Sequence, residues 1–367
     1  MRYKSILSMQ KKNKIILHIM HSEIGGAGDI ALNLSQFENK FLQTEYLMTG
    51  PRIFYGFKNK FKSIKKNFFF QKIDKGSHFL KLIAVIKKIN KISPDLIILH
   101  NYQILPALYF KLFQEKKIIF VDHMSLKLKK FKDYLSILLS AFFFDKIIFI
   151  NNENFNQFNF IKKSKKNKIY NGSSDFFLRY KVLNKKKYFK IGISGRINNL
   201  KNHKIAIDLL KNYPNLQNKI KILIAGSGEN KKNLKKYIGQ YKLKKNVIFM
   251  GELDEKNLKK WFSKIDLYLH PSFGEAMSSS ILQAMSSCTP ILASNVNGIN
   301  NLIGKKKYLG LLFNNNLKDL HKKINYFVTL NKNEYKNFQK VQRNYFLKNH
   351  KLKLFQMKYQ KVLNEII

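Results

Sequence analysis

The densest chemistry in the chain lies in residues 270–295, HPSFGEAMSSSILQAMSSCTPILASN. An apolar run ends at His270-Pro271, a loop with Gly274 follows, and Glu275 stands just ahead of a segment of helical period. Ser278, Ser279 and Ser280 open that segment. A helix start carries unpaired N–H groups, and hydroxyls beside them suit an anionic phosphate. Gln283 follows eight positions after Glu275. In isolation, a capping Glu and a surface Gln would account for this pair. A second cluster, IGISGRINNLKNH, sets Gly195, Arg196 and Lys201 after another apolar run. Two cations on one loop–helix junction can hold a diphosphate. Gly226 and Gly228 in IAGSGENKK permit a tight turn, as do Gly25 and Gly26 in GGAG. Small residues at the latter site also let backbone N–H groups approach a phosphate. His123 follows the run IIFVD; His100, His18 and His21 are its rivals for a place near a reacting centre.

The elements that position these residues alternate. Strand-like runs at 14–20, 44–48, 67–70, 95–100, 117–122, 146–150 and 168–170 are interleaved with helical segments at 29–37, 79–90, 126–144 and 153–161. A second series has strands at 188–193, 221–225, 246–250, 266–270 and 290–293. Its helices are at 201–211, 231–241, 255–264 and 278–287, with terminal helices at 318–330, 334–347 and 352–367. Alternating βα units imply parallel, doubly wound sheets. The expected organisation is an α/β chain of two Rossmann-like domains facing a central cleft. They are 1–172 and 188–345, joined by a linker at 173–187. The segment 346–367 could cross back to the first domain. Ligands bind such sheets at the carboxyl ends of the strands.

Composition narrows the class further. A length of 367 residues with 45% apolar content supports two cores. The one cysteine, Cys288, excludes an internal disulfide and fits a reducing cytoplasm. The formal charge of +47 makes an electropositive surface that attracts nucleotide phosphates, anionic lipids or nucleic acid without choosing among them. Neither a zinc finger, an RNA-recognition signature nor a compact basic helix supports nucleic acid. The basic, polar start lacks a signal peptide's apolar core, and the apolar run at 134–144 is too short to span a bilayer. The segment 126–144 has lysines on one side and large apolar residues on the other. It could rest on the anionic inner face of a membrane, although packing on the first sheet is the simpler expectation.

These motifs resemble the retaining glycosyltransferases of family 4, the glycosyl transferases group 1 of GT-B architecture. The family's hallmark is Glu, seven residues and a second Glu followed by Ala; Glu275 and Gln283-Ala284 occupy those places. The resemblance implies that Glu275 contacts the donor sugar and residue 283 the ribose. Gln283 departs from the hallmark, keeping hydrogen bonds but losing charge. Met277-Ser278 replaces the family's Phe-Gly pair in the sugar pocket, beside Ser279. The resemblance further assigns Gly195, Arg196 and Lys201 to the diphosphate, and Gly226 and Gly228 to the base and ribose. Gly25 and Gly26 fall to the transferred sugar, His123 to the anomeric centre, and NGSSDFF to the hinge.

It implies transfer from a nucleoside diphosphate sugar to a glycan or lipid-linked glycan acceptor. A nonenzymatic relative, a GT-B epimerase and a basic nucleic-acid-binding protein are the alternatives. The sequence has neither an Asp-x-Asp nor metal-ligand spacing, so Arg196, Lys201 and a helix start are expected to neutralise the leaving group without a metal or other cofactor. Transfer should therefore survive exhaustive chelation; a complete loss restored by Mg²⁺ or Mn²⁺ would contradict this charge arrangement.

Overall fold

Strands covered by helices on both faces bury every position, which is why LIILH at β4 (Leu96–His100) is apolar but for its last residue. Beside it stand β1 (Lys14–His21), β2 (Leu42–Gly50), β3 (Phe68–Lys72), β5 (Lys117–Asp122), β6 (Lys146–Phe149) and β7 (Lys166–Lys168), of which β3 and β7 lie at the sheet's edges. They pair in parallel in the order β3-β2-β1-β4-β5-β6-β7. The second sheet comprises β8 (Phe189–Ser194), β9 (Ile220–Ala225), β10 (Val247–Gly251), β11 (Leu267–His270), β12 (Ile291–Ser294) and β13 (Leu311–Phe313). Its order is β10-β9-β8-β11-β12-β13, again parallel. The structure is a computed structural model that describes residues 14–21, 25–35, 42–50, 68–72, 78–101, 104–181, 188–304, 306 and 308–367.

The first domain's helices are α1 (Gly25–Ser35), α2 (His78–Ile92), α3 (Ile104–Gln114), α4 (Phe131–Phe143) and α5 (Asn152–Gln157). The second has α6 (Lys204–Asn212), α7 (Lys231–Gln240), α8 (Glu255–Lys264), α9 (Ser279–Ser286), α10 (Asn297–Ile303), α11 (Leu317–Thr329) and α12 (Lys332–Asn349); α13 (Leu352–Asn364) ends the chain. Strand order turns back at β1/β4 and at β8/β11. The chain leaves neighbouring strands to opposite faces there, opening a crevice at their carboxyl ends.

Several boundaries differ from expectation. Helix α1 starts at Gly25, so Gly25 and Gly26 form its first turn instead of a loop before it. Segment 126–144 divides into a 3₁₀ turn (Leu126–Leu128) and α4, because the Asp133 carboxylate accepts from the Lys130 N–H and starts the helix anew. The strand expected at 168–170 lies at 166–168, a polar edge strand without an apolar signal. Helices α3 and α10 and strand β13 were not anticipated.

The linker expected at 173–187 is no free tether over its described part, 173–181. Phe176 is buried, its N–H donates to Ser286 Oγ at 3.1 Å, and Lys181 donates to the carbonyls of Phe262 and Ile265. The chain crosses between domains twice, side by side: Ser173 N–H donates to the His350 carbonyl at 3.0 Å and Leu352 N–H to the Ser173 carbonyl at 3.1 Å. After the second crossing α13 lies on the first domain, where Gln356 donates to the Asn33 carbonyl and Lys146 pairs with Glu365 at 2.6 Å. One apolar cluster runs from Ile98 and Ile148 through Ile169 and Phe176 to Tyr268 and Met285.

Gly172 makes the double crossing possible: a Cβ there would lie 2.5 Å from Phe355 Cβ and 3.2 Å from Leu352 Cα. Gly172→Ala should cost about 1–3 kcal/mol by denaturant titration and speed amide exchange in 352–364. Unchanged stability would mean that the crossovers part without strain.

Candidate active site

The β8/β11 crevice gathers the second-domain motif residues. Loop 195–203 leaves β8 and loop 271–278 leaves β11, and backbone bonds tie them: Phe273 N–H donates to the Leu200 carbonyl at 2.9 Å. The turn after β9 docks against them, with Ile197 N–H donating to the Ser227 carbonyl and Asn230 N–H to the Ile197 carbonyl. A Cβ on Gly226 would lie 2.0 Å from the Gly195 carbonyl oxygen, and one on Gly228 2.4 Å from that of Ile197. Loop-to-loop contact therefore requires these glycines, whatever ligand approaches them.

Glu275 is the focus. Its carboxylate pairs with Lys201 and accepts from His270 Nε2 at 2.9 Å. An ionised carboxylate only accepts, so His270 carries its proton on Nε2 and Nδ1 accepts from Tyr268 OH at 3.0 Å. Ser194 Oγ donates to Tyr268 OH at 3.2 Å. Burial alone would raise the Glu275 pKa, but Lys201 and His270 outweigh it and hold the carboxyl at about 2. Burial lowers His270, keeping the imidazole neutral, and raises Tyr268 to about 12. Tyr268 and His270, two positions apart, share one face of β11. Neither was anticipated as a site residue; a polar pair at alternate positions ending a buried strand is the signal that could have marked them.

The other motif residues divide. Arg196 and Gly195 lie on the Lys201 loop, Arg196 half-buried. Ser278 is the N-cap of α9, its Oγ accepting from Ile281 N–H and bonding Ser280 Oγ at 3.0 Å, while Ser279 is half-buried in the first turn. Gln283 is half-buried on the same helix. Met277 is buried beneath the crossover, where its sulfur accepts from Asn171 N–H, so its side chain is placed for packing.

Opposite, the first domain sets His123 on the loop after β5. That loop is shaped by a fully buried ion pair: Lys129 Nζ meets Asp122 at 2.6 Å, and Asn154 Nδ2 donates to both Asp122 and the Met124 carbonyl. His18, His100 and His123 form one chain, His18 Nδ1 to His100 Nε2 at 2.9 Å and His100 Nδ1 to His123 Nε2 at 2.9 Å. Each neutral imidazole has one donor and one acceptor, so the protons point one way along the chain. Burial drives His18 and His123 down to about 3 and His100 well below its usual value. Three of the four candidates for one role are thus a single connected unit, and the fourth, His21, ends β1. Gly25 and Gly26 open α1 beyond β1. The walls touch: Asn151 Nδ2 donates to the Ala276 carbonyl at 3.4 Å, and Asn297 donates to Glu153. Among the described residues, no group of His, Cys, Asp and Glu is placed to hold a metal.

Two Rossmann-like domains facing a cleft, joined by a double crossing, define the GT-B fold. Solved proteins share it across the chain: HepE of Anabaena, determined with UDP and glucose, superimposes with a TM-score of 0.80 at 16% identity over 96% of this chain and 99% of its own. The outer-core galactosyltransferase WaaB does so at 0.70 and 18% identity. Residues 175–345 match the family described as Glycosyl transferases group 1. The O-antigen biosynthesis glycosyltransferase WclY of Escherichia coli is 33% identical over 159 residues, 42% of this chain and 44% of that protein. An uncharacterized glycosyltransferase of Methanocaldococcus jannaschii is 28% identical over 70% of each chain. The match with WclY thus spans less than half the length of that relative.

The buried histidines set the acid stability. Unfolded, they take up protons near pH 6.5; folded, His18 and His123 do so near 3. The unfolded chain binds more protons between these values, so stability falls as pH drops through that window, by up to about 1.4 kcal/mol per pH unit for each histidine. Glu275 adds stability that is full above about 4.5 and lost toward about 2. Denaturant titrations from pH 7 to 4 should show this decline, shallower in His18→Asn. An unchanged slope would mean that His18 is protonated in the folded chain.

Proposed function

We propose that this chain transfers a glycosyl group from a nucleoside diphosphate sugar to a hydroxyl of a glycan or lipid-linked glycan, with retention and without a metal. The product class is a surface polysaccharide or glycolipid. The observation that carries the reading is the Lys201–Glu275–His270 cluster at the β8/β11 switch point. The glycosyl transferases group 1 match over that domain, UDP in HepE and O-antigen synthesis by WclY support it.

The chemistry needs the bond between anomeric carbon and diphosphate to break as the acceptor oxygen bonds the same carbon. With retention the acceptor enters on the face the diphosphate leaves, and the departing phosphate oxygen takes its proton. Glu275, ionised at any working pH, accepts hydrogen bonds from sugar hydroxyls. The Lys201 ammonium has three donors, so it can bridge Glu275 and a phosphate oxygen. Arg196 and the α9 N-terminus supply the remaining positive charge, strengthening as the leaving group charges. Gln283 faces the ribose hydroxyls with an amide. On the opposite wall, the neutral His123 imidazole or its carbonyl stabilises positive charge at the anomeric carbon, where an imidazolium would repel it.

The test is transfer with a panel of nucleotide sugars in chelator, with the product's anomeric configuration read by NMR. Glu275→Gln should abolish most transfer while the chain stays folded. Arg196→Ala and Lys201→Ala should each lower the rate by about ten- to a hundredfold and weaken nucleoside diphosphate binding. Because both act on one anion, the double variant should lose less than the sum. Wild-type rate and affinity in both single variants would remove them from the donor site. Nucleotide binding without turnover of any donor would favour a nonenzymatic relative, the reading that Gln283 invites.

A further inference from the structure

Helix α4 is amphipathic the wrong way round for a helix that only covers a sheet. Its buried residues are Ile137 and Ser140, with Ser140 Oγ donating to the Ser136 carbonyl. Its outward stripe is Phe131, Leu135, Leu138 and Phe142, spaced at helical period, with Phe131 83% and Phe142 70% exposed. The patch continues past the helix: Tyr134 packs on Phe158 and Phe158 on the exposed Phe160, and α3 also exposes Leu112 and Phe113. Such a contiguous apolar surface marks an interaction site.

Its rim is basic. Lys127, Lys130 and Lys132 are exposed around Phe131, and Lys162 and Lys163 follow Phe160. The nearest acid, Asp133, spends its carboxylate on the Lys130 N–H. Apolar residues that can enter acyl chains, ringed by lysines that reach phosphates, fit an anionic bilayer surface. A second copy fits poorly, since each carries a formal charge of +47 and like charges would meet. Among the described residues no helix is long and apolar enough to cross a membrane, so contact would be interfacial.

We propose that the α4 face, with Phe131 and Phe142 inserted, docks the chain on an anionic lipid bilayer beside its cleft. The link to the cleft is Leu128, just ahead of α4: its Cδ1 lies 3.1 Å from where a Gly274 Cβ would stand, next to Glu275. An acceptor anchored in that leaflet would reach the cleft by its first-domain rim. The docking itself does not rest on the transfer reading.

The experiment uses the full chain with phosphatidylglycerol–phosphatidylcholine vesicles and with phosphatidylcholine alone. The one native tryptophan, Trp261, is buried and serves as an unshifted background. With anionic vesicles, F131W should shift to the blue and be quenched by brominated acyl chains; Y241W, exposed in the second domain, should do neither. F131S/F142S should weaken vesicle binding at least about tenfold, while its thermal midpoint and its turnover on a soluble acceptor stay unchanged. Undiminished binding by that variant, or an unshifted F131W, would leave bulk charge as the cause and overturn the proposal. So would a blue shift without lipid that follows dimer formation in sedimentation. Absent turnover with intact lipid insertion would count against the transfer reading alone.

Discussion

Burial pushes the Glu275 carboxyl toward its protonated form, and Lys201, with the His270 hydrogen bond, holds it ionised. The pair joins residues 74 positions apart. They meet because β8 and β11 are neighbours in the sheet although two strands separate them in sequence. The loops after those strands are also bonded through their backbones, and the turn after β9 is wedged in by Gly226 and Gly228. Strand order, loop contact and glycine placement thus serve one charge pairing. His270 and Tyr268 extend it into the sheet, so the carboxylate's position is fixed from below as well as from the side.

The first domain answers with the opposite electrostatic solution. Behind its cleft face, three neutral imidazoles form one chain and Asp122 is neutralised by Lys129. The opposing wall carries the Lys201–Glu275 ion pair, with Arg196 on the same loop as Lys201. The Asp122–Lys129 pair acts on shape: with Asn154 it pins the Met124 carbonyl, and so the loop on which His123 stands.

Much of this was legible in the sequence, for a definite reason. Glu275, Arg196, Lys201 and the glycines stand just beyond apolar runs, and in a parallel sheet the end of a run marks the functional edge. The helix 255–264 was read at its observed bounds because Asp254 caps it and its apolar residues keep strict period. What sequence hid was what depends on neighbours across the fold. His270 ends a strand of buried apolar residues, where a lone His reads as core, and the joining of His18, His100 and His123 into one chain is visible only in three dimensions. Met277 read as a pocket residue, yet a crossover covering it is visible only in three dimensions. Strand β7, KNK, had no apolar signal because an edge strand needs none. The stripe on α4 was read as amphipathic, but which side faces the sheet is decided by packing: small Ser140 goes in and large Phe142 stays out.

The two domains are held together unequally. Across the cleft the polar contacts described are few, Asn151 on the Ala276 carbonyl and Asn297 on Glu153, with Leu128 against Gly274. At the back the double crossing is buried, and α13 is bonded to the first domain through Gln356 and Lys146. Contacts at the mouth are cheap to break, being small and polar, whereas those at the back hold apolar core. Any relative motion must therefore pivot at 171–173 and 349–352, where Gly172 brings the crossings close. Rotation there would carry the His123 loop toward or away from Glu275 while leaving the Lys201–Glu275–His270 cluster intact, since all its members belong to the second domain. The Lys201–Glu275–His270 cluster is thus built within one domain, and the geometry left to any closure is the approach of the first domain to it.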